Sequence, residues 1–396
     1  MNSTSSLFSQ MLSLINRADF KKRVKEMGID KHLKGFSCWD QFVSMLFCQL
    51  AQAKSLREIC GGLKCCLGKL NHLGVKKVPT KSNLSYANSK RNWELYEKTF
   101  YDLLKFCQRS GSFVKKKKFR FSNKLYSLDA SIIDLCITMF DWAKFRRTKG
   151  AIKLHLLLDH DGYLPVFLNI SDGKMHEVNI AKTLKLPPDS ILAIDMGYTD
   201  YKQYNNWTTS GIWFVTRQKS NAAYKVISKR KLPRNRNILS DEIIKLTGFY
   251  SSKDYPGELR RIVVFDKVKN KEIVLLTNNL KFGATTIASI YKDRWEIEIF
   301  FKTIKQNLRV KTFVGTSANA VKIQIWTALI AILLIKYIKH TSKLCWSMSN
   351  LITMLRWNLF TYRDLKEWIN DPYKTPPKQI IKQPMLPNWD SRYVMN

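Results

Sequence analysis

The chain has 396 residues, with 67 Lys and Arg against 31 Asp and Glu, a formal net charge of +36 and a pI near 9.9. A basic excess of this size, spread through the whole chain, points to a polyanionic partner rather than to a merely solvated surface or a juxtamembrane cluster. Length favours two or three folded units. The eight cysteines form no Cys-x-x-Cys pair and the six histidines are scattered, which argues against a zinc site.

The first 24 residues lack an apolar core ending in a small-residue cleavage site, so reduced thiols in the cytoplasm are expected. Residues 1–110 read as helical. The stretch SCWDQFVSMLFCQLAQ has apolar residues at helical spacing, and KSLREICGGL starts on a Ser55 cap and is expected to end at Gly61-Gly62. SNLSYANSKRNWELYEKTFYDLLKFCQ is predicted as one long helix, reached through a basic connector containing Pro79. Residues 111–123, with Gly, Ser and a run of four lysines, form the expected basic linker. Solvated linker and phosphate contact are equally good readings of that run.

From 124 the period changes. KLYSLDASIIDLCIT, AIKLHLLLD and YLPVFLNIS are β-rich, the last two joined by a turn at His160-Asp161-Gly162. A helix-like MHEVNIAKTLKL, the apolar SILAIDMGY, a helical DYKQYNNWTT and a further strand GIWFVTRQK complete an α/β pattern over 124–219 that opens with an antiparallel meander. Residues 220–282 read as a basic, β-rich insertion with a hairpin around Lys269-Asn270. Residues 283–345 return to the core. Within them Ala320–His340 is the most apolar run, but Lys322, Gln324 and Lys336 break it, and a buried helix is expected rather than a membrane span. Residues 346–396 are assigned to a C-terminal helical segment and a proline-bearing tail.

Three carboxylates stand out. YKDRWEIEIFFKTIKQNL, Tyr291 to Leu308, is predicted as a single helix on which Tyr291, Arg294, Glu298, Lys302, Lys305 and Arg309 share one stripe beside an apolar face. Taken alone, Glu298 fits an ion-pair ladder worth a few tenths of a kcal/mol per pair. However, Asp129 lies inside an otherwise apolar strand, and Asp195 ends a strand, where α/β sheets place functional groups. A buried aspartate is costly unless paired, hydrogen-bonded or bound to metal. Acids on the first strand, the fourth strand and a late helix suit two-metal phosphoryl transfer, with Asp129 bridging two Mg²⁺ ions and Asp195 and Glu298 as outer ligands. Arg294 and Lys305 would then hold phosphates, and Tyr291 would contact the backbone or stack.

With these residues in view, the chain resembles an insertion-sequence DDE transposase of the insertion sequence four type. The signature Tyr-x2-Arg-x3-Glu-x6-Lys reads here as Tyr291, Arg294, Glu298 and Lys305, while SLDASII and LAIDMGYTDY resemble the blocks around the first and second acids. WFVTRQKSNAAYKV resembles the strand after the second acid, which adds Arg217 and Lys219 to the DNA-contacting candidates. KGFSCWDQFVSMLFCQLAQAKSLREICGGL resembles the helical N-terminal domain of one branch of the family.

The resemblance implies an RNase H-like α/β core, a mixed sheet flanked by helices, with a β-rich insertion and an all-helical N-terminal DNA-binding domain. It further implies two Mg²⁺ ions, replaceable by Mn²⁺, and double-stranded DNA as partner, both terminal inverted repeats and target. A homodimer on DNA, no membrane, and a cytoplasmic, nucleoid-associated location follow from it too. The family's insertion supplies a tryptophan to stack a flipped base in a hairpin step, but no Trp lies between Trp213 and Trp295, leaving Phe249, Tyr250 and Tyr255 as candidates. The expected activity is cut-and-paste transposition. An RNase H-like nuclease or junction resolvase, or an inactive DNA-binding protein, are the alternatives.

Overall fold

The computed structural model describes residues 5–374 apart from 32–34, 67, 111, 112, 114–117, 137, 147, 148, 235, 309 and 311. The three lysines at 115–117, Arg309 and the proline-bearing tail beyond 374 therefore lie outside the described residues.

The N-terminal region forms helices α1 (Leu7–Leu12), α2 (Arg17–Glu26), α3 (Cys38–Leu50), α4 (Leu56–Lys64), α5 (Lys81–Lys90) and α6 (Glu94–Arg109). α3 begins with a capping box: the Asp40 N–H donates to Ser37 Oγ, and the Ser37 N–H donates to the Asp40 carboxylate. Every residue of α3 is buried. Ser55 caps α4 as expected, but the helix continues through Gly61-Gly62 to Lys64. The glycine pair serves packing instead of termination, because a Cβ on Gly62 would come within 2.8 Å of the Phe47 ring. The single long helix expected after Pro79 is two. Arg91 leaves helical geometry at ψ 134°, its guanidinium donates to the carbonyls of Phe36 and Ser37, and Asn319 donates to the Asn88 and Arg91 carbonyls. Tertiary partners for the backbone and side chain at 91 thus end α5 where propensity alone would continue it.

The sheet starts with β1 (Leu125–Leu135), β2 (Lys144–Arg146), β3 (Lys149–Asp159) and β4 (Leu164–Asp172). Then come α7 (Glu177–Ala181), β5 (Ile191–Ile194), α8 (Tyr201–Thr209) and β6 (Trp213–Arg217). β1, β3 and β4 pair antiparallel, with Tyr126 opposite Asp159 and Asp129 opposite Leu156. β5 pairs parallel to β1, and β6 parallel to β5. The order β4-β3-β1-β5-β6, an antiparallel meander followed by two parallel strands, is the RNase H-like core.

β7 (Tyr224–Lys229), β8 (Ile238–Leu246), α9 (Phe249–Asp254), β9 (Glu258–Asp266) and β10 (Lys271–Thr277) make up the 220–282 segment. β10 pairs antiparallel with β6, so these strands extend the core sheet instead of forming a separate one. The hairpin at Lys269-Asn270 joins β9 to β10, with Asn270 in the left-handed region at φ 47°. A buried ion pair fixes the extension: Arg260 donates to both oxygens of Asp241, at 2.8 and 2.7 Å, and its remaining donors reach the carbonyls of Asn279 and Phe282.

The chain closes with α10 (Ala284–Asp293), α11 (Trp295–Asn307), α12 (Ala318–Thr341), α13 (Met348–Asn358) and α14 (Leu365–Asn370). α12 is long and apolar enough to cross a membrane, yet 16 of its 24 residues are buried in protein. Its buried Gln324 is satisfied there, donating to the Thr312 carbonyl at 2.8 Å and accepting from the Val314 N–H at 2.9 Å. Around α12 one continuous core joins α1, α3, α4 and α6 to β1, β3 and α11–α14. The N-terminal helices thus share their core with the catalytic half of the chain, and the 111–123 boundary separates them in sequence but not in packing.

Deleting residues 1–110 is expected to expose α12 and abolish cooperative folding. Thermal unfolding followed by circular dichroism would be compared for the full chain and a 124–345 fragment; a sharp transition in the fragment would show that the helices are separable.

Candidate active site

Alternation along β1 places Leu125, Ser127 and Asp129 on the sheet face covered by α10 and α11. Leu125 packs with Ile287 and Ile290 of α10, and Asp129 bonds to Arg294 between the two helices. Asp195 directly follows Ile194, the parallel partner of Leu128, so it leaves β5 beside Asp129 on the neighbouring strand, and its charge acts on the Asp129 carboxyl. Glu298 enters from the first turn of α11. The three acids come from three elements that converge on Arg294.

Arg294 joins them. The helix predicted over 291–308 is broken at this residue, which ends α10 and opens α11. There its Nη1 donates to Asp129 Oδ2 at 3.2 Å and its Nη2 to Glu298 Oε1 at 2.7 Å, with only 10% of the side chain exposed. The guanidinium lies 5.5 Å from the centre of the Tyr291 ring, which supports it from below. Burial pushes the Asp129 carboxyl up to about 6; Arg294 and the Ala130 N–H oppose the rise, while the charges of Asp195 and Glu298 add to it. Burial likewise raises the Tyr198 phenol, helped by Asp129, Glu177 and Asp195.

The basic residues are arranged less simply. Lys305 donates to the Ile132 carbonyl at 2.7 Å, tying α11 to β1. Lys302, Arg217 and Lys219 are exposed, and the field of Arg217 reaches Tyr291. Among the proposed stacking aromatics, Tyr255 is withdrawn, 2% exposed with its hydroxyl 3.1 Å from Thr208 Oγ1, whereas Phe249 and Tyr250 are 68% and 78% exposed. The sequence reading overlooked Trp295. It is 54% exposed one residue from Arg294, with Lys269 of the β9–β10 hairpin 5.6 Å from its ring centre. Its position between Arg294 and Glu298 was the available signal.

Residues 122–334, which contain all three acids and the Tyr291, Arg294, Glu298 and Lys305 pattern, match the family described as a transposase DDE domain. The chain belongs to that family. Residues 3–76 of this DDE chain match a separate domain of unknown function, DUF4372. A Sinorhizobium fredii protein named as transposase y4zB is 28% identical, over 72% of this chain and 79% of its own length. A Geobacillus stearothermophilus protein named as a transposase for insertion sequence element IS5377 is 27% identical, over 58% of this chain and 60% of its own. The Escherichia coli K12 transposase InsG for insertion sequence element IS4 is 27% identical over 38% of this chain and 35% of its own, in keeping with the insertion sequence four resemblance.

The raised Asp129 carboxyl gives a stability prediction for the DDE chain. Its folded-state value of about 6 exceeds its ordinary 3.8, so the stability it confers is present in acid and is lost as pH rises through about 6. Asp129→Asn is expected to stabilise the protein by about 1–3 kcal/mol at pH 8, with the gain vanishing near pH 4. Melting temperatures across that range check it, and a uniform loss would contradict it.

Proposed function

We propose that this DDE chain is a cut-and-paste DNA transposase: it cleaves at terminal inverted repeats and transfers the freed 3′-hydroxyl ends into target DNA. The observation that carries this reading is the convergence of Asp129, Asp195 and Glu298 around one buried guanidinium in a chain of charge +36.

The donor set fits hard dications, since all three groups offer carboxylate oxygens and the half-buried, mutually repelling acids call for positive charge. Asp129, Asp195 and Glu298 would hold two Mg²⁺ or Mn²⁺ ions, which supply activation of the attacking oxygen and charge stabilisation of the leaving one. Among the described residues no three His, Cys, Asp or Glu groups already stand in a metal-holding arrangement. Arg294 holds one oxygen of Asp129 and one of Glu298 and so sets the spacing of the two carboxylates, and its guanidinium, 5.5 Å from the centre of the Tyr291 ring, would also offer positive charge to the scissile phosphate.

DNA approach is supported by exposed cations. Arg217, Lys219 and Lys302 flank the acids. The β7 strand and the loop after it carry Lys225, Lys229, Arg230, Lys231, Arg234 and Arg236 with no acid among them, and β7 is exposed along almost its whole length. Trp295, Phe249 and Tyr250 offer exposed aromatic rings on which an unstacked base would stack, worth about 1–3 kcal/mol each. Terminal-repeat recognition is assigned to the N-terminal helices, where α2 exposes Lys21, Lys22 and Lys25. We assign a homodimer on DNA and a cytoplasmic, nucleoid-associated location on the family resemblance.

A labelled duplex bearing the repeat that flanks the gene tests this with Mg²⁺, with EDTA and with Glu298→Gln. Nicking and joining are expected only with metal, and the variant should lose at least about 100-fold in rate, since even outer-shell changes cost 10–100-fold. Metal-independent or unaffected cleavage would overturn the assignment. Cutting without joining would favour a nuclease or resolvase.

In a second assay, Lys229→Ala, Lys231→Ala and Arg234→Ala combined should weaken duplex binding and flatten the log K against log salt slope by roughly 0.9 for each phosphate no longer neutralised. An unchanged slope would remove the β7 ribbon from the DNA path.

A further inference from the structure

A second polar line runs beside the acids between the same two segments of chain. Ser127 Oγ, on β1 two residues before Asp129, lies 2.7 Å from His160 Nε2. His160 Nδ1 lies 2.6 Å from Asp293 Oδ2, and Asp293 immediately precedes Arg294. The histidine comes from the turn between β3 and β4. Asp293 also receives Lys118, the last lysine of the basic run, and the Tyr163 hydroxyl at 3.4 Å.

All three members are buried: Ser127 is 0% exposed, and the His160 and Asp293 side chains are 7% and 1% exposed. Burial draws the Asp293 carboxyl upward, but hydrogen bonds from His160 and Lys118 outweigh it and leave the group below the usual carboxylate range. The Asp293 carboxylate accepts from His160 Nδ1–H, and the other ring nitrogen, Nε2, shares a hydrogen bond with the Ser127 hydroxyl.

Serine, histidine and aspartate in this order have the connectivity of a hydrolytic triad. A fully buried serine hydroxyl cannot meet a substrate, so nucleophilic chemistry is excluded. What remains is placement. Ser127 and Asp129 are neighbours on one face of β1, and Asp293 and Arg294 are neighbours at the helix break. Two ties, Ser127–His160–Asp293 and Asp129–Arg294, therefore link one pair of residues on the strand to one pair on the helices. A single tie would let the helix end swing about it; two ties fix both distance and orientation.

We propose that Ser127, His160 and Asp293 form a positioning relay that sets where Arg294 and Glu298 stand relative to Asp129. The relay rests on the transposase reading for its kinetic consequence, but not for its effect on metal loading.

The test uses the full chain with Asp293→Asn, with His160→Gln, which keeps an amide oxygen to accept from Ser127, and with His160→Asn, which keeps an amide donor toward Asp293. Mn²⁺ affinity is read by electron paramagnetic resonance, duplex nicking by kcat and KM, and folding by melting temperature. Each variant is expected to lose about 10–100-fold in kcat and in Mn²⁺ affinity, with KM for the duplex within about twofold. In an Arg294→Gln background, His160→Gln should cost less than about threefold more in Mn²⁺ affinity, because the relay acts through that residue.

Full additivity with Arg294→Gln, or Mn²⁺ affinity unchanged in all three variants, would overturn the proposal. Where a His160 variant fails to fold, Ser127→Ala replaces it, removing one hydroxyl only. If the wild-type chain does not cut DNA, the transposase reading fails, while the Mn²⁺ titrations still decide the relay.

Discussion

The structure turns on a single buried guanidinium. Asp129 sits where burial and two neighbouring acids all disfavour its charge, and Arg294 is the counter-charge within hydrogen-bonding reach. A carboxylate in that setting tolerates little displacement of its partner, because an unpaired buried charge costs several kcal/mol. Arg294 stands where α10 meets α11, and from there its guanidinium reaches Asp129 on β1 and Glu298 one turn on.

The rest of the architecture holds the two sides of that contact in place. On the strand side, β1 lies between β3 and β5, with a neighbour on either edge. On the helix side, α11 packs into the core built around α12, and Lys305 pins it to the β1 backbone. The insertion strands continue the same sheet, so the β9–β10 hairpin that brings Lys269 to Trp295 is held by ladder hydrogen bonds running back to β6. The basic β7 strand, Asp129 and the strand that leads into Asp195 thus belong to one continuous sheet.

Much of this was legible in the sequence, for identifiable reasons. The acids announced themselves because Asp129 interrupts an apolar strand and Asp195 ends one, and the spacing from Tyr291 to Lys305 is set by helical geometry that survives the break. Strands β1, β3, β4, β5 and β6 followed from their periodicity, whereas the three-residue β2 is too short to carry one. What could not be read depends on distant partners. Gly61-Gly62 looks like a helix end until Phe47 is seen against it. The end of α5 depends on Asn319, more than two hundred residues away. Independence of residues 1–110 seemed natural from the linker, but their apolar faces are closed by α12. His160 and Asp293 are 133 residues apart and carry no pattern that links them.

That shared core has a consequence for how the protein is made. The N-terminal helices leave the ribosome first, yet α12, the element that covers them, begins some 200 residues after α6 ends. At ordinary elongation rates the wait is about 10–40 s. Throughout it the nascent chain displays the apolar faces of α3 and α6, and α12 then emerges as the most hydrophobic segment of all. The N-terminal helices can therefore close their core only after α12 has been made, however early they form themselves.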